Sequence, residues 1–415
     1  MRMAILVALL ICAAGCGQRE SAPPEPDVPQ APPVEWSGDL QPIAEASNRF
    51  AFDLYGKLTE SEKGNIFYSP YSAHTALSMT APGARGETRD QMVKVLHLPK
   101  DDQKALASGD LGRYYSQPRK AFELAVANSV WGQSNFPWRP EFLKLQEEHF
   151  GAGFREADFQ TNPDTERVRI NKWVESQTHD RVKDLLKPKH ITVDTRMVLA
   201  NAIYFKGTWA TQFPPKKTRD VMFHLADGGR INVPTMYEEV KCRWGVLNDV
   251  PGAKILELPY SGGELSMVVL LPKLPDGLPA IERKLSPQAL SKWLEAMYHP
   301  TKPVGVSLPK FRFERAYDLP EKLKALGMVD AFIPFKADLS GMASNRDLFI
   351  SAVAHKAFIE VNEEGSEAAA ATAVVTGELF GDPPAFTIEH PFLFLIRDVK
   401  HGTILFMGRV MNPKG

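Results

Sequence analysis

No set of residues in this 415-residue chain assembles a turnover site. Its 10 histidines are scattered without the spacing that metal ligands need. There is no Gly-x-Ser-x-Gly elbow, no His-Glu-x-x-His, no phosphate-cradling loop and no cysteine pair for zinc. The chain is therefore read as a non-enzyme, with no catalytic residue, metal or cofactor expected. The residues with an unusual prospect lie in 363–386, and what they could change is conformation. Ala368, Ala369, Ala370 and Ala371 are the best helix formers. Thr372, Val374, Val375 and Thr376 are β-branched and favour a strand. Gly377, Gly381, Pro383 and Pro384 read as loop. Cues mixed this evenly suit a segment that is loop in one state and strand in another. A flexible alanine-rich surface loop is the plainer alternative.

Read with a period of two, Ser366, Ala368, Ala370, Thr372, Val374 and Thr376 share one face. Glu367 lies on the other face and should keep its charge in water. The Ser366 face is thus the one expected to be buried. Its residues are small or β-branched, so it could enter an existing sheet.

Cys16 is the other residue with a chemical prospect. Arg2 and the apolar run 3–11 read as a targeting signal, too short to span a bilayer. Ala13-Ala14-Gly15-Cys16 resembles a bacterial lipobox, with Ala13 where Leu is usual. Within a targeting segment of residues 1–16, a lipoprotein signal peptide, Cys16 would then become the lipidated N-terminus of the mature chain. A secretory signal cut nearby is the alternative. Acyl chains contribute about 0.8 kcal/mol per buried methylene, so several would hold the protein on a membrane. Residues 17–37 are rich in Pro, Glu and Ala and read as an extended spacer. The expected location is lipid-anchored on the bacterial cell envelope, at the outer membrane or cell surface, or secreted. Cys12 leaves with the signal, so Cys242 stands alone and no intrachain disulfide is available. It is expected to be a small buried hydrophobe.

The chain is long enough for a large core, and length alone would suggest two or three domains, though large single domains exist. The chain is 44% hydrophobic and 24% charged, which is ordinary for globular proteins. Its formal net charge of -1, with no run of five basic residues, gives no reason to expect nucleic acid. Apolar periodicity predicts helices over 43–58, 72–81 with Ser72 as a cap, 86–96, 164–186 and 319–326, the last ended by Gly327. It predicts strands over 121–131, 197–205, 255–258, 265–271, 386–388, 392–397 and 403–409. The turn 398–402 makes the last two a hairpin. The pattern is mixed α+β.

Several blocks, in order, resemble the serpin family, the serine protease inhibitors, in a bacterial lipoprotein-type member. They include Asn65-Ile66-Phe67-Tyr68-Ser69-Pro70-Tyr71-Ser72, Gly83-Ala84-Arg85-Gly86-Glu87-Thr88 and Asn201-Ala202-Ile203-Tyr204-Phe205-Lys206-Gly207-Thr208-Trp209. Leu308-Pro309-Lys310-Phe311, Ala337-Asp338-Leu339-Ser340-Gly341 and His390-Pro391-Phe392-Leu393-Phe394 continue the match, and Met407-Gly408-Arg409-Val410-Met411-Asn412-Pro413 closes it. One departure is Thr178-His179-Asp180-Arg181, where the family prefers Thr-x-Gly-Lys.

The resemblance implies a serpin domain over 38–415, with three β-sheets, about nine helices and an exposed reactive-centre loop at about 363–386. It implies a suicide inhibitor of serine endopeptidases. The protease attacks the loop and forms an acyl-enzyme. The cut loop then enters the main sheet and drags the bound protease away. The hinge is Glu363, Glu364, Gly365, Ser366, Glu367, Ala368, Ala369, Ala370, Ala371 and Thr372. Counting from Gly365 puts the reactive bond between Leu379 and Phe380. Counting back from His390 moves the cut to follow Phe380. The strand 366–379 would reach about 46 Å at roughly 3.3 Å per residue. A large apolar residue at the cut, with no Lys or Arg over 367–382, favours chymotrypsin-like or elastase-like targets. Papain-like cysteine proteases are the alternative target. A non-inhibitory binding module is a further reading, against which the alanine hinge argues.

Ser69, Ser72, Asn201 and His355 match the family's shutter positions, a polar cluster able to part and re-form, with a static network as the alternative. Trp209 matches the breach position near Glu363, where an aromatic could pack under the charge. Phe67, Leu77, Met79, Phe311, Phe332, Phe392 and Phe394 are read as core. No basic stripe over 85–104 suggests a heparin-like activator. The expected partner is the target protease, held covalently by a monomer, with the membrane reached through Cys16.

Overall fold

Long apolar runs set the centres of the sheets. The strands around Met197–Phe205, Leu265–Leu271 and Phe392–Asp398 carry buried residues on both faces, as interior strands must. The computed structural model of the chain describes residues 39–151, 153–299, 302–366 and 385–415. Cys16 and the spacer 17–37 lie outside the described residues. So do Glu367, Ala368, Ala369, Ala370, Ala371, Thr372, Leu379 and Phe380 of the loop.

Three sheets form among the described residues. The first runs β11 (Phe311–Asp318), β12 (Ala352–Val361), β4 (Met197–Thr208), β2 (Phe122–Gln133) and β3 (Phe154–Ala157), with β13 (Gly365–Ser366) pairing with β4. The second runs β1 (Ile66–Tyr68), β16 (Ile404–Val410), β15 (Phe392–Asp398), β9 (Leu265–Leu271), β8 (Lys254–Pro259) and β7 (Arg243–Val246). The third runs β14 (Ala385–Thr387), β10 (Val304–Pro309), β6 (Arg230–Val240) and β5 (Arg219–His224). The helices are α1 (Gln41–Ser61), α2 (Pro70–Ser78), α3 (Gly86–Val95), α4 (Asp102–Ala105), α5 (Ala107–Tyr115), α6 (Pro140–Phe150), α7 (Pro163–Gln177), α8 (Leu278–Glu282), α9 (Pro287–Glu295) and α10 (Pro320–Leu326). The architecture is α+β, as expected.

Side chains of β4 alternate between two cores. Met197, Leu199, Ile203 and Phe205 join the large core shared with α1, α2 and the second sheet. Val198, Ala200, Ala202 and Tyr204 join a smaller core under α7, with Ile170 and Val174 of that helix. The main sheet is thus covered on both faces. The residues read as core are buried, Phe332 at 7% exposure included.

Among the predicted helix bounds that change, two do so for identifiable reasons. The second helix starts at Pro70, not Ser72. Ser69 is the cap, its hydroxyl accepting from the Ser72 N–H at 3.1 Å, and Pro70 fits the first turn, where no amide donor is needed. The helix predicted to reach 186 stops at Gln177. The Asp180 N–H reaches back to the Glu175 carbonyl at 2.9 Å, a Schellman closure. His179 (φ 50) and Asp180 (φ 58) take the left-handed conformation there. Residues 178–196 then cross the sheet as an irregular connection to β4.

Candidate functional site

The seam between β4 and β12 is where a new strand could enter. The two strands are parallel neighbours from Val198↔Ala352 to Tyr204↔Phe358. Beyond that point they part. β12 continues with β11 as far as Val361, while β4 takes up the hinge. Gly365 pairs with Thr208 and Ser366 with Gly207, antiparallel. The chain gets there through a tight turn in which the Asn362 N–H donates to the Gly365 carbonyl at 2.9 Å.

Gly365 suits this place for a steric reason. Its φ is +150, and a Cβ would lie 1.9 Å from the Gly207 carbonyl oxygen and 2.7 Å from the Thr208 Cα. Any side chain would push the hinge off β4.

The entry point is held by backbone and by charge. Trp209 N–H donates to the Glu364 carbonyl at 2.8 Å, and Phe213 N–H to the Glu363 carbonyl at 2.8 Å. Trp209 Nε1–H donates to the Asn362 carbonyl at 3.0 Å. The Trp209 ring stacks on Tyr260 with centroids 4.6 Å apart. Glu363 pairs with Lys310 at 2.8 Å and accepts from the Thr218 hydroxyl at 2.8 Å. Burial would raise its carboxyl, but hydrogen bonds from Lys310, the backbone and Thr218, with the Lys310 charge, hold it below the usual range. Lys310 and Thr218 were missed in the sequence, because nothing local links them to a residue 53 or 145 positions away.

Deeper in the seam, Ser69, Ser72, Asn201 and His355 come together as expected. Ser69 N–H donates to His355 Nε2 at 3.1 Å, so that nitrogen is an acceptor. The proton therefore sits on Nδ1, which donates to Asn201 Oδ1. Asn201 Nδ2 donates to the Ser72 hydroxyl at 2.5 Å and also to Asn128 Oδ1. Ser69 Oγ donates to the Leu405 carbonyl at 2.6 Å. Burial pushes the His355 imidazole down to about 3. A second proton on Nε2 would also face the Ser69 N–H. The Tyr317 ring stacks against His355.

Asn128 on β2 is a fifth member that sequence reasoning missed. Its Oδ1 accepts from Ser72 Oγ at 3.1 Å and its Nδ2 donates to the Ser72 carbonyl at 3.3 Å. The available signal was a polar residue inside an otherwise apolar strand. The His355–Asn201 bond is the one that spans the seam. Separating β12 from β4 breaks it and leaves Ser69 with His355 and Ser72 with Asn201.

Cys242 is buried and free, with burial pushing its thiol up to about 12. It is not nucleophilic at neutral pH. Among the described residues no cluster of three or more metal-ligating side chains occurs.

Known proteins share this arrangement of sequence and fold. The family model described as "Serpin (serine protease inhibitor)" matches residues 45–413. Human leukocyte elastase inhibitor is 40% identical over 380 residues, covering 90% of this chain and all of that protein. Mouse antithrombin-III is 38% identical over 383 residues, covering 89% of this chain and 82% of its own length. The crystal structure of uncleaved ovalbumin superposes with a TM-score of 0.81 at 33% identity, covering 89% of this chain and 100% of ovalbumin. The chain belongs to the serpin family of serine protease inhibitors.

Proposed function

We propose that this protein inhibits serine endopeptidases by offering its loop as a substrate and trapping the acyl-enzyme when the cut loop enters the β4–β12 seam. It acts as an inhibitor, not an enzyme. The observation that carries this is the hinge already paired on β4 at the mouth of the seam. Continuing that antiparallel register puts Ala368 opposite Phe205, Ala370 opposite Ile203 and Thr372 opposite Asn201. Cross-strand partners share a face. The Ser366 face would therefore point into the large core, where only small side chains fit beside Phe205 and Ile203. Thr372 would bring a hydroxyl to Asn201 in place of the departing His355. Glu367 would fall opposite Lys206, the register partner of Glu123 on β2.

The finer reading is that Leu379–Phe380 is the reactive bond and that the target is chymotrypsin-like or elastase-like. The apolar pair supports it, as does the absence of Lys and Arg over 367–382. Lipidation of Cys16 and the spacer 17–37 would hold a monomeric inhibitor on a bacterial envelope, supported by the signal-like residues 1–16. Mixing the full chain in mild detergent with chymotrypsin, and separately with trypsin, tests both levels. The expected product is a heat- and denaturant-stable complex with chymotrypsin, with a released peptide beginning at Phe380. A peptide beginning at Gly381 moves the cut to Phe380. Cleavage of the loop without a complex overturns inhibition by trapping.

A further inference from the structure

Lys241 and Cys242 link β6 of the third sheet to β7 of the second, and a cavity of about 410 Å³ lies beside this link. Its size falls within the roughly 300–1,000 Å³ of small-molecule sites. Pro259, Gly263 and Leu265, from the two arms and turn of the β8–β9 hairpin, form a second wall. Val399, from the turn after β15, adds a third. The hairpin is fixed from several sides. Ala210 N–H donates to the Pro259 carbonyl at 3.0 Å, and Ser261 N–H donates to the Thr208 carbonyl at 2.7 Å. Val399 N–H donates to the Glu264 carbonyl at 2.9 Å, tying the second and third walls together. The cavity is thus preformed, as small-molecule sites usually are.

The lining is mainly apolar. Leu265 and Cys242 are buried, and a thiol pushed up to about 12 presents a neutral sulfur. The charged lining residues are Lys241, Arg243 and Glu257. Glu257 is 6% exposed and its oxygens are already taken. Oε1 accepts from the Ser266 hydroxyl at 2.8 Å and from Arg397 at 3.2 Å, and Oε2 accepts from Arg243 at 3.0 Å. One carboxylate shared by two guanidinium groups has little left for a cation. Positive charge is in excess instead. Arg243 also donates to the Leu294 carbonyl, yet its Nε–H has no acceptor in the protein. Lys241 is exposed, as is Val399, so the two stand where the cavity meets solvent. A guest with an apolar body and an acidic head matches both the walls and the charge.

We propose that this cavity binds a small carboxylate with an apolar body. The acid lies toward Lys241 and Arg243, and the body rests against Pro259, Leu265 and Val399. Lys241 supplies a charge-assisted hydrogen bond from a flexible stem, so it adapts to the position of the head group. Nothing in this site involves the reactive loop, and it stands or falls apart from protease trapping.

The test is calorimetric titration of the full chain with 4-phenylbutyrate. Its alcohol and amine analogues, 4-phenylbutan-1-ol and 4-phenylbutylamine, carry the same body with a neutral or positive head. The acid should bind at one site per chain with a Kd on the order of 1 mM, as its size allows. The alcohol and the amine should bind several-fold more weakly. Lys241→Gln should weaken the acid by roughly three- to fivefold and leave the alcohol unchanged. Val399→Trp, which fills the cavity from its exposed side, should weaken it at least about tenfold. No binding of the acid by about 10 mM overturns the site. Equal affinity for acid and alcohol overturns recognition of the charge. Equal affinity of the native chain and Val399→Trp overturns the cavity as the place of binding. Should Val399→Trp melt well below the native chain, amide exchange of the native chain decides the place. The acid should then protect 241–243 and 259–266, and protection confined to other segments overturns the proposal.

Discussion

His355 and His74 are buried imidazoles that the fold keeps neutral. Burial lowers His355 to about 3 and His74 to about 4, the latter against the opposing pull of the Leu96 carbonyl on its Nε2. In the unfolded chain an imidazole titrates near 6.5. Below that pH the unfolded chain takes up protons that the fold refuses. The stability each contributes is therefore complete above about pH 6.5 and is lost as the pH falls towards 3 or 4, by about 1.4 kcal/mol per pH unit for each group. Thermal melts across pH 7 to about 5 should show the loss, and a His355→Gln variant should have a visibly shallower slope. An equal slope in that variant would mean that His355 is not the titrating group. Gly365 is the second residue whose type is dictated by contact. Gly365→Ala puts a Cβ against the Gly207 carbonyl. The expected result is a hinge displaced from β4, a change in the fluorescence of Trp209 beneath it, and several-fold more inhibitor consumed per protease trapped.

Among the described elements, β4 pairs with β12, with β2 and with the hinge, so the proposed insertion centres on it. Its odd-numbered residues line the large core and set what the entering strand can carry. Ala370 would sit opposite Ile203 and needs its N–H for the ladder. Ala370→Pro removes that donor and brings a ring into an interior strand, where proline is essentially not found. The variant should melt like the native protein. It should be cut by chymotrypsin while trapping at least about tenfold less, read by gel titration as insertion loses its race with deacylation. Trapping at native stoichiometry would refute insertion as the mechanism.

For the whole molecule, the closed sheet holds a parallel pair, β4 and β12, that a strand between them would turn into two antiparallel pairs. The register gives the new strand partners on β4 from Gly207 back to Met197. At about 1 kcal/mol net for each hydrogen bond, the inserted state gains on the order of 10 kcal/mol from the ladders, before side-chain burial is counted. Cutting the loop with a protease that is not trapped should therefore raise the melting temperature by tens of degrees. A cut protein that melts with the intact one would show that the loop does not insert. The same opening would need the His355–Asn201 bond to break.

Much of this protein is legible in its residues alone. Apolar periodicity marks α1, α3, β2, β4, β8, β9, α10 and the final hairpin, because those elements bury continuous stripes or whole strands. The glycine, the small side chains and the β-branched residues of 363–386 suggest a segment compatible with two states, and most of that segment lies outside the described residues. The order of family blocks identifies the fold and singles out Ser69, Ser72, Asn201 and His355, which the structure brings into one hydrogen-bonded cluster. The sequence could not show where α7 stops, since His179 and Asp180 end it in a left-handed turn that periodicity does not register. It could not show β12 as the partner of β4, because a strand buried on both faces carries no alternation. Nor could it bring Asn128, Thr218 and Lys310 to the site. Each reaches its partner across 53 to 145 intervening positions, a distance in sequence that only the packed sheets close.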